Sequence, residues 1–179
     1  PVMKDATHKL SKRNGDASYE DLIAKGYLKD AVLNYIALLG WSPKGEREIF
    51  TLPELVQEWD PAGISKSPAI FDNQKLRYIN GEYIRALSGD GFYEKALPWM
   101  RKTVKSETAD LRALAGVLQA RCEVLEDIPE QVDFIDAVPD YDLALYTNKK
   151  MKTTPETSLA ALRETLPVLE GLESFSAEA

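Results

Sequence analysis

The sequence predicts a mainly helical protein with at most a small α/β element at its start. Three observations carry this expectation. Apolar side chains recur at three- and four-residue spacings through most of the chain after residue 17. Helix-start signals stand at Thr51, Asp72 and Thr154, and only residues 1–3 and 64–70 suit an extended backbone.

Each element can be justified in order. In Asp30-Ala-Val-Leu-Asn-Tyr-Ile-Ala-Leu-Leu the spacing gives a short, mostly buried helix, with Gly40 placed to stop it in the left-handed conformation. Thr51-Leu-Pro-Glu54 is a capping box: the Thr51 hydroxyl serves one free amide, Glu54 reaches back to another, and Pro53 is tolerated in the first turn. The helix through Leu55, Val56 and Trp59 follows from it. Asp72 can cap a segment through Leu76, Ile79 and Tyr83. Gly81 weakens its middle by roughly 1 kcal/mol relative to alanine, so a bend or break is expected near Asn80-Gly81. Residues 92–104 and 107–125 read as two further helices, the second patterned by Leu111, Leu114, Ala115, Leu118 and Cys122. Pro129 opens another. Thr154-Pro155 opens the last, through Leu159, Leu162, Leu166 and Leu169, with a kink expected at Pro167, which lacks a donor and clashes with the preceding turn.

Composition sets the class. At 179 residues the chain can form one large or two small domains that bury a stable core. With 44% apolar and 28% charged residues, and no apolar run near the ~18 residues of a membrane span, it reads as neither disordered nor transmembrane. Pro1-Val2-Met3-Lys4-Asp5 lacks the features of a secretory signal, and Cys122 is the only cysteine, which fits a reducing, cytoplasmic setting. A net charge of −7 weighs against nucleic acid as a partner. Local charge tells a different story: residues 1–16 carry Lys4, Lys9, Lys12 and Arg13 against Asp5 and Asp16, whereas residues 154–179 carry Arg163 against five glutamates. Local field, not total charge, decides where an anion docks.

The chemistry concentrates in Lys9-Leu10-Ser11-Lys12-Arg13-Asn14-Gly15-Asp16. Two lysines three apart flank a serine, and Gly15 permits a tight turn, so cations and a hydroxyl can meet a polyphosphate whose leaving group gains charge. Taken alone, the same stretch is also what a solvated basic loop looks like. His8 reads as a loop residue with no partner nearby in sequence.

The blocks that follow resolve the choice. Lys9-Leu-Ser-Lys12 resembles the lysine–serine–lysine signature loop of class I aminoacyl-tRNA synthetases, in the form typical of bacterial-type glutamyl-tRNA synthetases. The resemblance continues through Gly26-Tyr27-Leu28, Ala31-Val32-Leu33-Asn34-Tyr35, Leu38-Leu39-Gly40-Trp41-Ser42, Phe50-Thr51 and Ile64 to Asp72. Lys75-Leu76, Ile79-Asn80 and Tyr83-Ile84 extend it, whereas residues 86–179 are similar only loosely to the helical anticodon-binding region.

This resemblance implies a mainly α fold: a signature loop and stem-contact region over 1–70, then an incomplete all-helical anticodon-binding cage over 71–179. It implies that Lys9, Ser11 and Lys12 serve amino-acid activation, with Lys12 the direct ATP contact, and that ATP with Mg2+ is a substrate of the parent enzyme, no cofactor or metal being held by this part alone. The implied partners are tRNA(Glu), and glutamate and ATP in the parent, for a monomeric cytoplasmic protein with no membrane contact. Lys66, Lys75, Arg77 and Arg121 are the expected tRNA contacts. Lys66 reads equally as an exposed lysine on a capped loop, and Arg121 as a base-reading fork or as a surface arginine paired with Glu123 or Glu126. Trp41, Trp59 and Trp99 could stack on bases, but their apolar surroundings favour core packing, and Cys122 reads as a small buried residue.

The family's nucleotide-binding sheet and histidine-containing signature are not found, His8 being the only histidine, and its tryptophan–proline block is missing after Leu172. The chain is therefore expected to be part of a longer enzyme, cut at both ends and inactive alone. The competing readings are a free-standing, non-catalytic RNA-binding module and a protein-interaction module derived from a synthetase.

Overall fold

Eight α-helices and one pair of two-residue strands make up the regular structure of the residues described, 2–11, 18–138 and 140–173, in the computed structural model. The chain divides into two compact units, Pro1–Ala137 and Val138–Ala179.

The first unit begins with β1 (Val2–Met3), which pairs in parallel with β2 (Ala69–Ile70). Ser18 caps α1 (Tyr19–Ala24) through a reciprocal box with Asp21. Next, α2 (Lys29–Gly40) buries Ala31, Val32, Asn34 and Tyr35. It does not end in a left-handed glycine: Gly26 is the only described glycine with positive φ, and Gly40 is the last helical residue. The stop is tertiary. Trp41, 2% exposed, turns extended and bridges to Ile64, while its Nε1 donates to the Asp60 carbonyl at 3.0 Å.

The capping box at Thr51 and Glu54 starts α3 (Leu52–Glu58) as the sequence predicts. Asp72 accepts from the Gln74 and Lys75 amides and opens α4 (Asn73–Arg85). The break expected near Asn80-Gly81 does not occur, because packing overrides propensity there. Both residues are buried, and the Asn80 side chain accepts from the Leu28 amide at 2.7 Å and donates to the Glu123 carbonyl at 2.5 Å.

Ser88 caps α5 (Gly89–Thr103), which carries Pro98 inside it, and Asp110 caps α6 (Leu111–Gln119). The last of these is shorter than 107–125, since the chain beyond Gln119 turns back along α4. A 3-10 turn (Leu125–Asp127) and α7 (Ile128–Gln131), with Pro129 in its first turn, complete the unit.

Two apolar cores result, and α4 serves both. Its Leu76 and Ile79 pack with Leu22, Tyr27, Ala31, Val32, Tyr35 and Val124. Ile84 packs with Phe92, Ala96, Met100, Leu111, Ala115 and Leu125. Val124 has extended dihedrals (φ −140°, ψ 140°), so consecutive side chains Val124 and Leu125 enter different cores.

In the second unit, a 3-10 turn (Leu143–Tyr146) lies against α8 (Pro155–Glu170), which Thr154 and Thr157 cap. Helix α8 runs past Pro167 to Glu170 without interruption. The Tyr141 and Tyr146 hydroxyls meet at 2.9 Å, and Ser158 Oγ donates to the Tyr146 carbonyl at 3.3 Å.

Candidate functional site

The basic stretch at residue 9 hangs from the edge of β1. Leu10 N donates to Val2 O at 3.1 Å, Lys4 N donates to His8 O at 2.8 Å, and Met3 forms an antiparallel bridge with Lys9. On the other edge, Phe71 N donates to Met3 O at 2.8 Å, so β1 is the middle of three short backbone stretches.

Asp5 ties the intervening turn. Its Oδ1 accepts from Thr7 N at 2.8 Å, from the Thr7 hydroxyl at 2.9 Å and from His8 N at 2.8 Å. His8 Nδ1 lies 2.9 Å from Asp5 Oδ2. His8 therefore has a partner three residues away, contrary to the sequence reading. The Thr7 amide, and after it the His8 amide and the two side chains, hold the Asp5 carboxyl well below the ordinary carboxylate range. This Asx turn delivers Lys9 to the surface and Ser11 to a half-buried position. Lys12, the expected ATP contact, and Arg13 lie outside the described residues.

Lys66 is exposed. Below it, Ser42 N donates to Gly63 O at 3.0 Å and Ser65 N to Gly40 O at 2.9 Å, so residues 63–65 are stitched to the end of α2. Gly63 is needed for the approach, since a Cβ there would stand 2.5 Å from Ser42 O. Ser67 N donates to Ser65 Oγ at 3.2 Å and turns the chain so that Lys66 stands at its apex.

Lys75 and Arg77 are committed within the protein. Lys75 Nζ contacts Glu48 Oε1 at 2.5 Å. Arg77 Nε donates to Glu123 Oε2 at 3.0 Å, and its Nη2 donates to Asp127 Oδ2 at 2.5 Å. The hydrogen bond to Asp127 above all raises the Arg77 pKa beyond its ordinary value. Arg121 differs: its side chain is exposed and forms no ion pair with any described residue. The pairing with Glu123 that sequence allowed is not made, because Glu123 faces Arg77.

The tryptophans divide. Trp41 is buried, as expected, but Trp59 is 46% exposed, with its ring 5.4 Å from that of Trp41. Trp99 is half-buried, and Lys102 Nζ sits 3.3 Å from its ring centre. Cys122 is fully buried. Desolvation pushes its thiol up to about 12, which leaves too little thiolate for nucleophilic work.

One feature escaped the sequence reading. Lys149, Lys150 and Lys152 stand exposed on a turn closed by Thr153 N to Asn148 O at 3.1 Å and Asn148 N to Thr153 O at 3.3 Å, with Lys152 at φ 56°. Three lysines in four residues were the available signal. Among the described residues no group of three or more His, Cys, Asp or Glu side chains is placed to hold a metal ion, and no helix is long and apolar enough to cross a membrane.

Comparison with known families matches this arrangement in order along the chain. Residues 2–78 match the tRNA synthetases class I (E and Q), catalytic domain, and residues 91–179 match the anticodon binding domain. Fold and sequence thus define a segment of a class I tRNA synthetase. The glutamate–tRNA ligase of Clostridium acetobutylicum is 54% identical over 176 residues, covering 98% of this chain, and that of Clostridium botulinum strain Eklund 17B is 56% identical over 173 residues. The chain belongs to the glutamate–tRNA ligase family. It spans 36% of the length of these two relatives. The crystal structure of a glutamate tRNA ligase from Elizabethkingia meningosepticum in complex with its amino acid shares the fold, with a TM-score of 0.70 at 22% identity over 96% of this chain and 37% of that one.

Proposed function

We propose that this chain is the tRNA-binding part of a glutamate–tRNA ligase whose whole form activates glutamate with ATP and transfers it to tRNA(Glu), and that it does not aminoacylate by itself. The observation that carries the reading is Arg121: an exposed guanidinium, unpaired among the described residues, within the part that matches the anticodon binding domain. A planar fork of five donors suits the edge of an unstacked anticodon base.

Lys66 in the first unit and, independently, the lysine turn at 149–152 in the second supply ammonium groups of the kind that bind phosphates without reading sequence. Lys75 and Arg77 contribute to the local field through paired, partly exposed side chains. The proposed division at residue 70 is one of contact partners, since α4 packs on α2 across it. In the whole enzyme, Lys9, Ser11 and Lys12 would meet the ATP polyphosphate with its Mg2+. Their cations would offset charge on the departing pyrophosphate once a separate domain holds ATP and glutamate in line.

The test pairs two measurements on the chain: filter binding of tRNA(Glu) across salt concentrations, and ATP–pyrophosphate exchange with glutamate. Salt-sensitive binding that prefers the cognate anticodon, without exchange, is expected. Exchange above a mock preparation would sink the claim of dependence on another domain.

A protein-interaction module is the second reading, favoured by the exposed Leu143, Leu145, Leu159, Leu162 and Leu166 of the second unit. Equal, weak binding to every tRNA would support it over the first.

A further inference from the structure

The segment from Gln119 to Asp127 is held from several sides, yet the Arg121 side chain within it forms no ion pair with any described residue. Gln119 Nε2 donates to the Ile84 and Leu87 carbonyls at 3.0 and 2.9 Å, and Asn80 holds the Glu123 carbonyl. Leu125 N and Glu126 N reach Gly26 O at 3.5 Å and Lys25 O at 3.1 Å. Arg77 then spans two carboxylates, Glu123 and Asp127, from one turn below Asn80 on α4. Three acids, Glu123, Glu126 and Asp127, lie within six residues of Arg121 in sequence, and Arg77 occupies two of them.

We infer that Arg77 is a positioning residue for Arg121: by engaging Glu123 and Asp127 it keeps the nearby acids from neutralising Arg121 and fixes the turn that presents it to an anticodon base. The inference rests on the reading of Arg121 as a base contact. Arginine suits the task because its rigid fork can satisfy two carboxylates at once, which a lysine point charge cannot. Without Arg77, Glu123 is free to swing toward Arg121, and an incoming base must first break that pair. An exposed ion pair is worth a small amount, so the preference for the cognate anticodon should fall about 2- to 5-fold, not vanish.

The experiment measures binding of the chain to tRNA(Glu) and to the same tRNA with a substituted anticodon, at two salt concentrations. Wild type, Arg121→Ala, Arg77→Gln and the triple variant Arg77→Gln, Glu123→Gln, Asp127→Asn are compared, with thermal melts to show that each folds. Arg77→Gln should lower the cognate-over-substituted ratio, and the triple variant should restore it, because the freed acids are neutral and amides can still bond across the gap. A lost ratio that the triple variant does not restore would overturn the electrostatic role. Equal weakening of both tRNAs with a flatter salt dependence would overturn it too, and would make Arg77 a phosphate contact. If Arg121→Ala lowers the ratio while Arg77→Gln leaves it intact, only the present inference fails. If Arg121→Ala leaves the ratio intact, the base-reading assignment fails and takes this inference with it.

Discussion

Gly26 and Leu125 approach so closely that a Cβ on Gly26 would stand 2.6 Å from the Leu125 Cβ, closer than real Cβ contacts come. The contact falls at the turn after α1, where Gly26 takes φ +89° and lets Tyr27 enter one core while Leu125 enters the other. Trp99 closes the third side, 3.0 Å from the same point. Gly26→Ala should therefore destabilise the chain by about 1–3 kcal/mol from backbone strain alone, with the clash adding to it. A urea titration followed by tryptophan fluorescence measures this; an unchanged midpoint would show that the turn relaxes.

Asn34 is a buried polar hub. Its Nδ2 donates to Glu48 O at 2.8 Å, and its Oδ1 accepts from Phe50 N at 2.7 Å and from the Tyr83 hydroxyl at 3.0 Å. The same hydroxyl also meets Phe50 O, so its one proton is shared between the two acceptors, and burial pushes the Tyr83 phenol up to about 12. Asn34→Leu keeps the branched outline at larger volume and orphans Glu48 O and Phe50 N, and each buried group left unsatisfied costs about 1–3 kcal/mol. The loss should exceed that of Tyr83→Phe when both are measured by denaturant unfolding.

Glu54 gives a pH signature. The Arg47 guanidinium, then the Thr51 amide and hydroxyl, lower its pKa from 4.5 to about 2. Because the folded value is depressed, the contribution is full above the unfolded pKa near 4.5 and is lost as pH falls toward 2. Glu54→Gln should flatten the acid limb of stability between those values. The group is exposed, so the effect is screened by salt.

Phosphate contacts and base contacts separate by their response to salt. Lys66→Ala should weaken cognate and substituted tRNAs alike and reduce the salt slope by about 1, whereas Arg121→Ala should lose about 1–3 kcal/mol for the cognate anticodon only. Filter binding at several salt concentrations distinguishes them.

In the full-length enzyme, Lys12→Ala should slow activation by about 10²–10³ with little effect on glutamate binding, the usual cost of removing one transition-state donor. Pyrophosphate exchange at saturating glutamate reads this, and an unchanged rate would remove Lys12 from the proposed role.

Local chemistry was legible in the sequence by itself. The Thr51–Glu54 box, the Asp72 cap and the Thr154-Pro155 start each act over three or four residues, so spacing alone located α3, α4 and α8. The ordered blocks from Lys9 to Ile84 likewise identified the family before any coordinates. Only the tertiary structure decided which charges are committed. Arg77 reaches carboxylates 46 and 50 residues away, and Lys75 reaches one 27 residues away. The same long-range contacts kept α4 whole through Gly81 and ended α2 at a buried Trp41 in place of a left-handed Gly40. A helical period fixes which face a residue occupies. Which distant acid meets that face depends on how the chain folds back: Glu123, two residues from Arg121, is drawn to Arg77 on α4, and Arg121 pairs with no described residue.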